Sequence, residues 1–223
     1  MRIVFRYDLF SAEPRNTLNA VRTMVLASGL PAAPAKVGSH RPRLAYGPAP
    51  AQGQWAEREY LDIYLQESCC IAQVQERLQS VAPQGLTILE VKRIPVALPC
   101  VQNLATAAKY RIQGDFTSLN VSGRKWEAFV RSGRLWVNLR AANGMKFSLD
   151  AAPYLLDYAW HAPDDFTCTL QRVQDKWLRP EWLLCAWLGI EALAGGEPFG
   201  LPGISVTRQY LLWRDSQGEW HPL

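Results

Sequence analysis

The chain has 223 residues and carries 24 Lys and Arg against 20 Asp and Glu, a formal charge of +4. Apolar residues make up 48% and charged residues 20%, with nine Trp, eight Tyr and seven Phe, a globular composition that excludes a disordered chain. Its fifteen Gly show no triplet period, which excludes collagen, and a chain this long buries enough surface to hold a core without metal or disulfide.

No stretch approaches the ~20 uncharged apolar residues that span a bilayer. The opening residues, Met1 to Asp8, lack the long apolar region and small-residue cleavage site of a signal peptide. A cytoplasmic location with no membrane partner is therefore expected. Five Cys stand at 69, 70, 100, 168 and 185 with no Cys-x-x-Cys spacing, so reduced, mostly buried thiols are expected and no metal site.

Charge is uneven. Residues 1–114 hold thirteen basic against eight acidic side chains, and residues 115–223 hold eleven against twelve. Between Leu30 and Ala56 the bases Lys36, Arg41 and Arg43 appear with no acid. A local excess of this kind permits a phosphate-bearing partner.

In chain order, Ile3, Phe5 and Tyr7 alternate as a strand over residues 2–9. Leu18, Val21, Met24 and Val25 repeat at helical spacing between Pro14 and Gly29. From Leu30 to Gly53 the density of Pro and Gly forbids a helix, so a long loop is expected with a short extended piece at Arg43–Tyr46. Residues 59–65 alternate as a strand, with Tyr60 and Tyr64 on one face. Glu59 and Asp62 fall on opposite faces and do not form a paired-carboxylate site. A helix over 70–82 and a strand over 86–95 complete the order β-α-β-β-α-β.

Residues 97–107 read as a linker, and the order then begins again. A strand at 109–114 is followed by a helix carrying Trp126, Phe129 and Val130. Strands at 135–139 and 147–149 join across Asn143-Gly144, a strong hairpin signal. Segments 154–160 and 166–173 form an antiparallel pair. Pro180 opens a helix that Gly189 ends, and 204–213 is the last strand. The expected fold class is α+β: two tandem ferredoxin-like (βαββαβ) domains with antiparallel sheets, over 1–98 and 108–223. One continuous α+β domain is the alternative.

Catalytic signals are sparse. Phosphate-loop, dinucleotide, nucleophile-elbow and zinc-protease motifs are missing, as is the Cys-x-x-x-Cys-x-x-Cys set that holds a radical-SAM cluster. His40, His161 and His221 are scattered, and His221 stands where fraying is expected. The informative stretch is Lys36 to Arg43. Two Arg flanking a Pro are held extended, and their guanidiniums would grip phosphate oxygens two at a time. Gly38 and Ser39 offer backbone amides to an anion. The bland reading is a solvated basic loop. Tyr46 and Trp55 stand nearby, either packed under the loop or available to stack on a base. Trp177, Trp182 and Trp187 do not share one helical face, and core or interface packing explains them better than a cofactor box.

Several segments together resemble the radical-SAM-linked proteins that carry the domain of unknown function 2344 (DUF2344). Pro48 to Gly53 followed by Glu59-Tyr60-Leu61-Asp62 is similar to the family's Pro-rich turn and Glu-Tyr-Leu-Asp strand. Gly38 to Leu44 resembles its basic-proline segment, Asp150 and Pro153 to Asp157 its second-half aspartate motif, Leu178 to Leu184 its Leu-Arg-Pro helix start, and Val206-Thr207-Arg208 its last strand. Three departures stand out. Phe10 to Arg15 replaces the family's Ser-His-Leu-Asp stretch, the basic-proline segment is one residue shorter and lacks its Phe, and Ala152 stands where the family often has Arg.

The resemblance implies an accessory role beside a cobalamin-binding radical-SAM protein. The expected function is a non-catalytic, substrate-presenting partner of a radical SAM enzyme, and the partner carries the [4Fe-4S] cluster, SAM and cobalamin. This chain is expected to bind no cofactor of its own. RNA is the candidate substrate, gripped by Lys36, Gly38, Ser39, His40, Arg41 and Arg43 with stacking from Tyr46; DNA is not expected. Trp177 and Trp182 are the candidate partner interface. The alternatives are an RNA-processing or RNA-modifying enzyme using His40 as general acid or base, and a purely structural interaction module.

Overall fold

The computed structural model describes residues 1–7, 14–51, 53–116, 123–141, 143–193 and 203–223, with backbone alone at 7, 14–17, 123–124 and 193. The chain divides into two compact units: residues 1–50 with 55–105, and residues 51–54 with 106–223. Both mix helices with antiparallel sheet, an α+β architecture. Among the described residues no helix is long and apolar enough to cross a membrane.

In the first unit the elements run β1 (Arg2–Tyr7), α1 (Pro14–Ala27), β2 (Leu44–Tyr46), the two-residue β3 (Trp55–Ala56), β4 (Glu59–Ile63), α2 (Ile71–Ser80), β5 (Leu86–Lys92) and α3 (Val101–Leu104). The sheet order is β2-β4-β1-β5. Every neighbouring pair in it is antiparallel. The period-2 alternation of strands and the 3.6 period of helices meet in one core. Ile3 and Phe5 of β1, Leu61 and Ile63 of β4, and Leu86 and Ile88 of β5 pack with Val21, Met24 and Val25 of α1 and Val74 and Leu78 of α2. Burying each such side chain contributes roughly 1.5–3 kcal/mol.

The residues between these, Arg2, Val4, Tyr60 and Asp62, are also buried. Helix α3 packs on β2 and β4, with Val101 and Ala105 fully buried. Residues 97–107, expected as a linker, are therefore partly a packed helical turn. The reason is polar: Asp62 Oδ2 accepts the Val101 N–H at 2.7 Å, which holds the turn against the sheet.

The second unit runs β6 (Ala107–Gly114), α4 (Gly123–Arg131), β7 (Trp136–Arg140), β8 (Lys146–Asp150), β9 (Leu155–Ala162), β10 (Asp165–Gln171), α5 (Pro180–Leu188), β11 (Ala192–Leu193), β12 (Ile204–Arg214) and β13 (Trp220–Pro222). This element order does not repeat that of the first unit. β6 has both edges occupied, by β10 and β12, in the order β13-β12-β6-β10-β9. The β7–β8 hairpin expected across Asn143-Gly144 forms, but in a separate sheet of order β11-β7-β8, where β11 runs parallel to β7. Its core is aromatic. Trp126 meets Phe166 and Trp187 edge-on, with centroids 4.7 and 4.9 Å away. Edge-to-face contact suits the charge distribution of the rings.

The residues around His221 do not fray as expected. Trp213 pairs with His221 across β12 and β13, and His221 Nε2 lies 2.8 Å from Asp215 Oδ2. α5 starts on Pro180 and ends at Gly189, as the sequence predicts. Gly189 takes φ +69°, a left-handed cap that a side chain would strain.

Candidate functional site: a basic arm and its cleft

The segment expected as a loop is an arm with two hydrogen-bonded legs. Ala33 N–H donates to the Tyr64 carbonyl at 2.7 Å, Arg43 N–H to Ala33 at 2.7 Å, and Ala35 N–H to Arg41 at 2.8 Å. Ala32 pairs with Leu65, and Pro34 with Pro42. Prolines at facing positions supply no N–H, so the ladder stays broken and never becomes a regular strand pair. At the tip, Ser39 N–H donates to the Lys36 carbonyl at 3.0 Å. Gly38, third in that turn, has φ +75°, which glycine alone adopts without strain.

This geometry distributes the predicted site residues unevenly. Lys36, His40 and Arg41 are exposed on the arm. None of the ion pairs among the described residues involves Lys36, Arg41 or Arg43. Ser39 Oγ accepts the Arg41 N–H at 3.1 Å, which fixes the base of the tip. Arg43 is exposed too but is held by a neighbour. Its guanidinium lies over the Tyr64 ring, 4.2 Å from the centroid, and so is anchored rather than projected with Arg41. Tyr46 on β2 is half-buried beside Phe5, Val21 and Tyr60, and burial pushes its hydroxyl pKa up. It packs against the core of the first unit.

Ser39, His40, Arg41 and Pro42 form one wall of a cleft of about 320 Å³, faced by Val25, Leu26 and Leu30 at the end of α1. The cleft lining thus joins one guanidinium, that of Arg41, to apolar residues of α1. Among the described residues His40 has no hydrogen-bond or ion-pair partner, and no three His, Cys, Asp or Glu gather as a metal set. The Phe10–Glu13 stretch, where the sequence departs from the resembling family, lies outside the described residues.

Trp177 and Trp182 are half-buried in the second unit. The Arg179 guanidinium lies 5.3 Å from the Trp182 ring centroid.

Two buried polar pairs escape sequence reasoning. Arg2 Nε and Nη2 donate to the two Asp62 oxygens at 2.8 and 3.0 Å, and both residues are almost fully buried. In the second unit Gln54 Nε2 donates to Glu181 Oε2 at 2.6 Å, again with both buried. Burial pushes the Glu181 carboxyl above its ordinary range, against the opposing pull of its hydrogen bonds and of Arg179. Register is the missing signal for the first pair, since β1 and β4 place Arg2 directly opposite Asp62.

No curated protein matches the sequence. A family model described as an uncharacterized protein conserved in bacteria matches residues 28–180, more than half of the chain. The matched region contains the arm, the cleft wall of Ser39 to Pro42, and the buried Glu59–Asp62 strand. With that much of its length and its candidate site inside the match, the chain belongs to the DUF2344 family.

Proposed function

We propose that this protein is a non-catalytic accessory partner that presents substrate to a radical SAM enzyme, with the arm as its grip. The observation that carries the reading is the pair of exposed cations, Lys36 and Arg41, with the exposed His40 beside them, on a hydrogen-bonded arm with no described carboxylate within ion-pair reach. A hydrogen-bonded arm loses less entropy on binding than a free loop does, so its charges remain available to a phosphate-bearing ligand.

The substrate class we favour is RNA, held through its backbone. Cobalamin, SAM and the [4Fe-4S] cluster belong to the partner enzyme in this reading, which places the complex in the cytoplasm. We read the first unit as ferredoxin-like, on the order β1-α1-β2-β4-α2-β5 of its sheet strands and longer helices and on its sheet order β2-β4-β1-β5.

The test is a single-stranded RNA shift assay across salt, paired with affinity capture read for a radical SAM protein. Two or three neutralised phosphates predict a log–log slope of roughly −1.5 to −2. Arg41→Ala should reduce the slope by about 0.7 and leave capture of the radical SAM protein intact. A flat salt dependence removes RNA as the substrate, and failure to capture a radical SAM protein removes the accessory role. RNA cleavage that disappears in His40→Ala would instead establish the enzyme alternative.

A further inference from the structure

A second cavity, of about 360 Å³, opens in the first unit between the end of β4 and the segment that follows β5. Gln66 borders both this cavity and the arm cleft. Its walls are mainly apolar: Ile63, Leu65, Ile94, Pro95 and Leu98. The volume falls in the range of small-molecule sites, where apolar walls and a few placed polar groups are the rule.

The charged groups at this cavity are unequal. Asp62 borders it, but both of its oxygens are taken, by Arg2 and by the Val101 N–H. The Met1 nitrogen, also in the wall, donates to the Ile63 carbonyl at 2.8 Å. Arg93 is different. Nη2 donates to the Cys69 carbonyl at 2.9 Å, its one hydrogen bond among the described residues. A guanidinium has five N–H donors, so most of its fork stays open while the Cys69 contact fixes its position. Glu67 is the remaining carboxylate in the lining, exposed and without an ion pair to Arg93.

We propose that this cavity binds a small amphipathic anion, its apolar body against Ile63, Leu65 and Leu98 and its carboxylate or phosphate on the guanidinium of Arg93. The Asp62 carboxylate is neutralised internally, and Arg93 is the side-chain cation of the lining with open donors. The proposal does not depend on the role proposed for the arm.

Titration of the full chain with octanoate, octyl phosphate and octan-1-ol, followed by amide chemical shifts, tests this. Saturable shifts at Ile63 to Leu65 and at Ile94, Val96 and Leu98 are expected with an anion. The tighter of the two anions identifies the headgroup. Arg93→Gln should weaken anion binding at least tenfold, while Glu67→Gln should leave it unchanged or tighten it. Leu65→Trp, which fills the cavity, should abolish the shifts in a protein whose remaining spectrum is unaltered. Arg41→Ala should leave anion binding as it is, which separates this site from the arm. The proposal is overturned if neither anion gives saturable shifts, if octan-1-ol binds as tightly as the anions, if Arg93→Gln binds normally, or if Glu67→Gln weakens binding as much as Arg93→Gln.

Discussion

The guanidinium of Arg43 and the ring of Tyr64 are stacked, with 4.2 Å between the cation carbon and the ring centroid. The same two residues are joined along the backbone, since Tyr64 N–H donates to the Arg43 carbonyl at 3.2 Å. One basic residue of the arm is thus anchored, and Arg41, two positions away, carries the charge into solvent. Replacing Arg43 with Gln should lower the stability of the first unit by about 0.5–1 kcal/mol, the usual worth of an exposed cation–π contact, and Arg41→Gln should cost almost nothing. RNA retention should respond in the opposite order. A double-mutant cycle with Tyr64→Leu, read by urea unfolding, checks the coupling; a coupling of zero would remove the anchor.

Asp62 satisfies Arg2 twice and caps the first turn of α3 in an almost fully buried setting. Removing one partner of such a pair leaves a charge in low dielectric, at a typical cost of 3–5 kcal/mol. Asp62→Asn should therefore destabilise the first unit by about that amount. Arg2→Met combined with Asp62→Asn should recover much of it. Denaturant unfolding of the three variants decides the matter, and a single-variant loss below about 1 kcal/mol would contradict the geometry.

Glu181 presents the reverse sign. Burial raises its folded pKa, so the neutral carboxyl is the form the fold prefers. That preference stabilises fully below the ordinary carboxyl pKa and is lost as pH rises through the raised folded value. At neutral pH Glu181 is a liability. Glu181→Gln, which still accepts from Gln54, should raise the thermal midpoint by a few degrees at pH 7.5, and the gain should shrink toward pH 4. Calorimetry at the two pH values measures this; a lower midpoint at pH 7.5 would show that the charge is needed.

The thiols should separate by burial. Cys168 is almost fully buried and its pKa is pushed far up, first by burial and then by Glu181 and Asp157. Burial, with Glu181, pushes Cys185 up to about 11. Cys70 is exposed. Alkylation proceeds through the thiolate, so iodoacetamide at pH 8 should label Cys70 first and spare Cys168 until the second unit unfolds. Peptide mass spectrometry reads the order. Early labelling of Cys168 would mean that β10 opens in the native protein.

Much of the first unit was legible residue by residue. Val21, Met24 and Val25 mark the buried face of α1, and Ile3 and Phe5 that of β1, because those periods are local. The hairpin at Asn143-Gly144 and the helix between Pro180 and Gly189 were legible for the same reason. β13 was not. Trp220 to Pro222 carry no strand signal of their own and become a strand through pairing with β12. The candidate site was legible in composition and not in geometry. The excess of Lys36, Arg41 and Arg43 could be counted, but not that Tyr46 is half-buried against the core or that the Arg43 guanidinium lies over Tyr64.

By itself the amino-acid sequence settled the buried faces of the strongly periodic segments, such as β1 and α1, and where basic residues gather without acids. Only the tertiary structure decided what each charge meets. Arg2 and Arg41 are the same residue type, yet strand register sets Asp62 opposite Arg2, while Arg41 lines a cleft with no described carboxylate in reach. Alternation and helical period act between near neighbours in the chain, whereas pairing acts between segments far apart in it, and no local spacing encodes which of them will meet.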